Sequence, residues 1–272
     1  MAGALALDRC WDAKMASLNP ILVRNITLRI PMVRKGASSL VTNPLSLVAR
    51  FYMPRLRKRE VRTILEAVSF EVEDGSRLAL IGRNGAGKTT LLRLLAGSIL
   101  PTRGMILTRG RVQALLNTSL GLRSEATGLE NIYLRGLSMG MSLAEIRERI
   151  PEIVEFSELG DAIHDSIHTY SAGMRARLAF SIATSRAPNV LLMDEWISAG
   201  DRYFVEKTQE RLQAQVKTCR ALVLASHNKS IISDICSHGL VLEGGRKMFF
   251  GRVEDALNFY DEMNPQDKAT AA

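Results

Sequence analysis

The chain has 272 residues, 46% of them hydrophobic, 24% charged and only 6% aromatic, with 36 Lys and Arg against 28 Asp and Glu. It is long enough to bury a large core, and no apolar run approaches the roughly 18 to 20 residues of a membrane-spanning helix. Cys10, Cys219 and Cys236 share no paired spacing, which argues against a disulfide framework and a zinc knuckle and leaves reduced thiols.

The opening MAGALALDRCWD has no basic run ahead of its apolar residues. It does not read as a secretory signal, and the cytosol is the expected compartment. The net charge of +8 is local: from Arg34 to Arg62, eight basic residues stand against Glu60 alone, and the remainder is close to neutral. Basicity confined to one segment is not the footprint of a whole nucleic-acid-binding domain.

In chain order, residues 1–20 form a tail closing on Asn19-Pro20, and 21–33, rich in branched apolar residues, read as a strand. Residues 34–60 hold Gly36, Pro44 and Pro54 and look like an insert before a second strand at 61–72. The run 77–81 ends at a glycine loop, as a buried parallel strand does. Leu91, Leu92, Leu94 and Leu95 then stripe a helix that closes near Gly97. From about 116 to 186 the pattern is mostly helical: Ser142 and Glu145 have capping-box spacing, and Ile146, Ile150, Ile153 and Val154 follow at helical intervals. Strands return at 190–193, 221–225 and 240–242, and Gly244-Gly245 is a hairpin turn into 247–250. This alternation predicts an α/β fold with a parallel sheet, interrupted by a helical insert. The expected organisation is a tail at 1–20, one domain at 21–257 with a basic insert at 34–60, and a C-terminal tail at 258–272.

Residues 81–90 read IGRNGAGKTT, in which Gly82, Gly87, Lys88 and Thr89 complete G-x-x-x-x-G-K-[ST] between a predicted strand and a predicted helix. Gly82, Arg83, Asn84, Gly85, Ala86, Gly87 and Thr90 supply a backbone that curls its N–H groups around phosphates. Lys88 neutralises the β/γ oxygens, and Thr89 offers its hydroxyl to Mg2+. This reads as a nucleoside triphosphate site. Residues 190–195, VLLMDE, form a buried strand ending in two acids. Alone, such a pair more often opens a solvated loop. With the phosphate loop upstream, Asp194 is placed in the Mg2+ shell and Glu195 as the general base for water.

The run YSAGM at 170–174, followed by RARLAFSIATS, resembles the signature of ATP-binding cassette (ABC) proteins. A serine and a glycine there are otherwise an ordinary helix cap. Their place, 83 residues after Lys88 and just before the Asp194-Glu195 strand, weighs against that reading. The resemblance implies that Ser171 and Gly173 of one subunit press on the γ-phosphate held by another. It places Asp201, in SAGD at 198–201, in a loop touching the partner's phosphate loop, and makes His227 a γ-phosphate contact. His164 and His168 lie four apart, but no carboxylate or thiol pattern supports a metal there.

Together, GRNGAGKTTLLRLLAG, TGLEN, YSAGMRARLAFS and DEWISAGDRYF are similar to the ATP-binding subunits of bacterial polysaccharide exporters, which move O-antigen, capsule or teichoic-acid chains. The likeness runs from about residue 65 to about 251. It implies a P-loop ABC nucleotide-binding domain: a RecA-like parallel core, an antiparallel β portion and a helical subdomain at about 116–186. It further implies ATP and Mg2+ as ligands, a homodimer holding two ATPs, and a separate integral-membrane permease. The substrate it implies is a lipid-linked glycan, moved from the cytoplasmic face of the inner membrane with peripheral membrane contact and no nucleic acid. The chain ends about 20 residues after its last expected strand, so the carbohydrate-binding domain of some members is not expected. Two other readings stand: export of another lipid or small molecule, and a soluble ABC ATPase acting on nucleic acid or ribosomes. The second usually brings long coiled-coil insertions or two cassettes, and the sequence has neither.

The sequence departs from the family at two places. Where a coupling glutamine is expected, nine or ten residues before Thr127, stand Asn117 and Thr118; Gln113 lies 14 before and is out of place. Where an adenine-stacking aromatic is expected stand Val61, Arg62 and Thr63, leaving Arg62 or the more distant Phe51 and Tyr52. In the insert, residues 44–52 carry one apolar face with basic residues beyond Pro54. A surface helix with a solvated basic end, contact with anionic lipid or glycan pyrophosphate, and contact with nucleic acid all fit that pattern.

Overall fold

The computed structural model describes residues 19–32, 60–116, 121–195 and 202–265. The expected N-terminal tail up to residue 18, nearly all of the basic insert with Phe51 and Tyr52, Asn117 and Thr118, and the loop with Asp201 lie outside the described residues. In chain order the elements are β1 (Ile21–Met32), β2 (Glu60–Val72), β3 (Arg77–Ile81), α1 (Lys88–Leu95), β4 (Arg103–Thr108), β5 (Val112–Leu115), α2 (Gly128–Ser138) and α3 (Leu143–Ser157). They continue with α4 (Ala172–Thr184), β6 (Val190–Asp194), α5 (Arg202–Thr218), β7 (Ala221–Ala225), α6 (Lys229–Ile235), β8 (His238–Glu243), β9 (Arg246–Arg252) and α7 (Val253–Met263).

Six strands form one sheet in the order β5-β6-β7-β3-β8-β9, parallel except for the β8–β9 hairpin. The near-continuous apolar runs of β3, β6 and β7 are explained by burial on both faces. Leu78, Leu80, Val190, Leu192 and Val223 enter one core, and Ala79, Ile81, Leu191, Met193 and Leu222 enter the other. The first core also contains Leu91, Leu92, Leu94 and Leu95 of α1 and the inner residues of a second sheet, β2-β1-β4, which is antiparallel. Helix α1 is therefore sandwiched between the two sheets. On the opposite face lie residues of α4, α5, α6 and α7, including Phe180, Phe204, Ile232 and Val253.

Helices α2 and α3 and one side of α4 form a third cluster around Ile132, Ile146, Ile153, Tyr170 and Leu178. Both α2 and α3 begin with complete capping boxes, Thr127 with Glu130 and Ser142 with Glu145. Asn131 is fully buried and closes the preceding loop: its Oδ1 accepts the Arg123 N–H at 2.7 Å, and its amide donates to the Thr127 carbonyl at 2.8 Å. Much of the TGLEN string is thus explained by local folding.

Two differences from the sequence expectations are structural. Strands β4 and β5 follow no apolar alternation and exist through tertiary pairing, β4 with β1 and β5 with β6. The C-terminal tail expected from residue 258 begins inside α7, an amphipathic helix that buries Val253 and Ala256. Among the described residues no helix is long and apolar enough to cross a membrane.

Candidate nucleotide site

The loop from Gly82 to Gly87 leaves the C-terminal end of β3 and turns into α1. Gly82, at φ 154°, could not carry a Cβ without meeting the Leu242 carbonyl oxygen at 2.3 Å. Gly87 caps α1 at φ 108°, where a Cβ would lie 2.8 Å from Leu65 Cδ2. Arg83, Asn84 and Gly85 are exposed, Ala86 is buried, and Thr89 and Thr90 are half-buried on the first turn of the helix. A short glycine-bent turn leading into a helix N-terminus concentrates backbone N–H groups and suits an anion.

Lys88 is buried, and its Nζ donates to the carbonyls of Gly82 and Arg83. Burial pushes this ammonium below the usual lysine range, while the carboxylates of Asp194 and Glu195 pull it back up. The same three groups that the sequence assigned to phosphate, cation and water therefore share one electrostatic environment.

Asp194 closes β6, paired with Ala225 of β7, and the Glu195 N–H donates to the Ala225 carbonyl at 2.7 Å. Glu195 sits at φ 77°, a left-handed conformation unusual for a residue with a side chain. Its Oε1 is 3.8 Å from His227 Nε2, and its Oε2 accepts a hydrogen bond from the Ser226 hydroxyl at 3.2 Å. The structure thus brings Glu195 and His227 together from two adjacent strand ends. The sequence carries no signal for Ser226 beyond its position directly before His227. An open cleft beside the loop is lined by Arg83, Asn84, His227, Glu243 and Tyr260, of which the last two belong to no motif in the sequence.

Ser171 is the N-cap of α4, its Oγ accepting the Met174 N–H at 3.1 Å. Ser171, Ala172 and Gly173 are exposed at the edge of the helical cluster, apart from the core that carries the glycine loop. The cap reading of Ser171 is correct, yet it does not account for Gly173. A Cβ there would meet nothing closer than Ser171 Oγ at 3.8 Å, and the backbone has no positive φ. Gln113 is buried in β5 and donates to Gln215 Oε1 at 3.1 Å, which makes it a core contact between β5 and α5. Arg62 is exposed on β2.

A model of the ABC transporter family matches residues 65–198. The O-antigen export system ATP-binding protein RfbB of Klebsiella pneumoniae is 36% identical over 241 residues, covering 88% of this chain and 96% of that protein. The chain belongs to the ABC transporter family. As an ABC ATP-binding subunit it is an ATPase, with nucleotide as its ligand. The teichoic acids export ATP-binding protein TagH of Bacillus anthracis is 35% identical over 208 residues, 76% of this chain and 38% of that protein. A solved ATP-binding subunit of an ABC transporter superposes with a TM-score of 0.65 at 22% identity, covering 88% of this chain and 92% of that one, a likeness of fold.

Proposed function

We propose that this chain is the ATP-hydrolysing subunit of an exporter that moves a lipid-linked polysaccharide of the O-antigen or capsule type across the bacterial inner membrane. It acts as a homodimer on a separate integral-membrane permease, from the cytoplasmic face. The observation that carries the transport reading is the similarity to RfbB over 96% of that protein's length.

The residues present fit a triphosphate with a hard cation. The glycine loop offers backbone N–H groups, Lys88 a buried ammonium, and Thr89 and Asp194 oxygen donors of the kind Mg2+ takes. Mg2+, when bound, supplies neutralisation of phosphate charge. Glu195 Oε1 takes a proton from the attacking water as the water oxygen bonds to the γ-phosphorus. The bond from that phosphorus to the bridging oxygen then breaks, its electron pair leaving with ADP. His227, whose Nε2 is 3.8 Å from Oε1, would contact the γ-phosphate.

A second copy completes the site with its Ser171, Gly173 and Asp201. Gly173 supports this: the fold has no need of a glycine there, whereas close approach of a backbone to a phosphate does. ATP binding closes the pair and hydrolysis reopens it, a two-state element whose populations the nucleotide shifts.

The test is isolation of the tagged chain from gently solubilised membranes, with mass spectrometry of its partners and glycan analysis of a deletion strain. A multispanning permease and retention of lipid-linked glycan inside the deletion strain are expected. Recovery free of membrane partners and bound to ribosomes or nucleic acid would leave the ATPase intact and remove the transport role.

A further inference from the structure

Ser226 follows the last residue of β7 and is only 5% exposed. Its Oγ accepts the Asn228 backbone N–H at 3.2 Å. A hydroxyl has one proton to give, and with an amide directed at its lone pair that proton goes to Glu195 Oε2, 3.2 Å away. The glutamate itself is about half exposed, with Oε1 turned to His227. A side chain in that position would otherwise sample several rotamers, and here a buried group holds one of its two oxygens.

The backbone on both sides is fixed as well. The Glu195 N–H is bonded to Ala225, the residue before Ser226, and the Asn228 side chain caps α6 by accepting the N–H groups of Ser230 and Ile231. The hydroxyl is therefore anchored between a strand end and a helix start. Its bond to Glu195 joins side chains 31 residues apart and gives the buried hydroxyl's one proton its acceptor, the Asn228 amide filling only a lone pair.

We propose that Ser226 is a positioning residue for ATP hydrolysis: it pins Oε2 of Glu195 so that Oε1 is presented to the attacking water. This rests on Glu195 being the general base. Removing one hydrogen bond to a charged group that acts in the transition state is expected to slow turnover about tenfold.

The experiment is steady-state hydrolysis of MgATP by the full chain, alone and in its permease complex, with equilibrium nucleotide binding and melting curves beside it. The set comprises wild type, Ser226→Ala, Ser226→Cys, Ser226→Thr, Glu195→Gln and the Ser226→Ala/Glu195→Gln double variant. Ser226→Ala and Ser226→Cys are expected to lower kcat about tenfold with KM and nucleotide affinity unchanged, and Ser226→Thr to recover most of the loss. In the Glu195→Gln background, Ser226→Ala is expected to cost nothing further. Wild-type kcat in both Ser226→Ala and Ser226→Cys, beside an inactive Glu195→Gln, would overturn the role of Ser226 alone. A full further loss in the double variant, or a fall in kcat that merely follows the melting temperature, would do the same. Wild-type turnover by Glu195→Gln would overturn the reading of Glu195 and this inference with it.

Discussion

The backbone N–H of Gly245 donates to the carbonyl of Ala86 at 3.2 Å, tying the turn of the β8–β9 hairpin to the glycine loop. The same residue's carbonyl accepts the Glu66 N–H at 2.9 Å. One glycine thus joins three parts of the molecule: the hairpin, the antiparallel sheet and the loop assigned to phosphate. It has no spare room, for its φ is 79° and a Cβ would lie 2.1 Å from the Ile64 carbonyl oxygen.

Gly245→Ala is accordingly expected to lose stability and nucleotide affinity together. The left-handed backbone alone costs a side chain about 1–2 kcal/mol, and the carbonyl contact adds to it. Gly244, its neighbour at φ 52°, meets nothing within 4 Å and provides the control. In thermal melts, Gly244→Ala should lose a few degrees at most, and Gly245→Ala clearly more. Equal melting temperatures would show that the hairpin turn can shift freely against β2.

Gly173→Ala separates folding from function. With space for the added methyl and a helical backbone, the variant is expected to melt at or slightly above the wild-type temperature, since glycine is among the poorer helix formers. Hydrolysis, by contrast, should fall at least tenfold, because in the proposed dimer the methyl would meet the nucleotide of a second copy. Melting curves and MgATP turnover on one preparation check both halves. Full activity would remove Gly173 from the site.

Stability should decline at alkaline pH in a way traceable to Cys236. Burial raises this thiol from an ordinary value of 9.0 to about 12. A raised acid keeps its contribution to stability below the unfolded value near 9 and loses it as pH climbs towards about 12, because the unfolded chain sheds the proton first. Relative to Cys236→Ala, the wild type should lose up to about 1.4 kcal/mol of unfolding free energy per pH unit across that window. Urea titrations of both proteins at pH 8, 9 and 10 check the difference, and parallel curves would contradict it.

Much of the candidate site is legible in the sequence, because its signals are local. A glycine loop between an apolar strand and an apolar-striped helix needs no distant partner to be recognised, and neither does the Ser142–Glu145 capping box. The alternate faces of β3 and β6 enter two different cores, and for that reason these strands read as unbroken apolar runs. Ser226 could not be read this way: its partner is 31 residues upstream, and only the β6–β7 pairing brings Glu195 to it. Gly245 read as a hairpin residue, but its close approach to Ile64 depends on how two sheets meet. Strand β4 is mostly exposed and has no alternation to detect, so only its register with β1 defines it.

The most direct test combines hydrolysis with size-exclusion chromatography in MgATP for wild type, Lys88→Ala and Glu195→Gln. The wild type should hydrolyse ATP and elute largely as a monomer. Glu195→Gln should bind ATP, fail to hydrolyse it and elute as a dimer, and Lys88→Ala should neither bind nor dimerise. A Glu195→Gln variant that turned over ATP at the wild-type rate, or stayed monomeric with ATP bound, would contradict a site built around Glu195 and completed by a second copy.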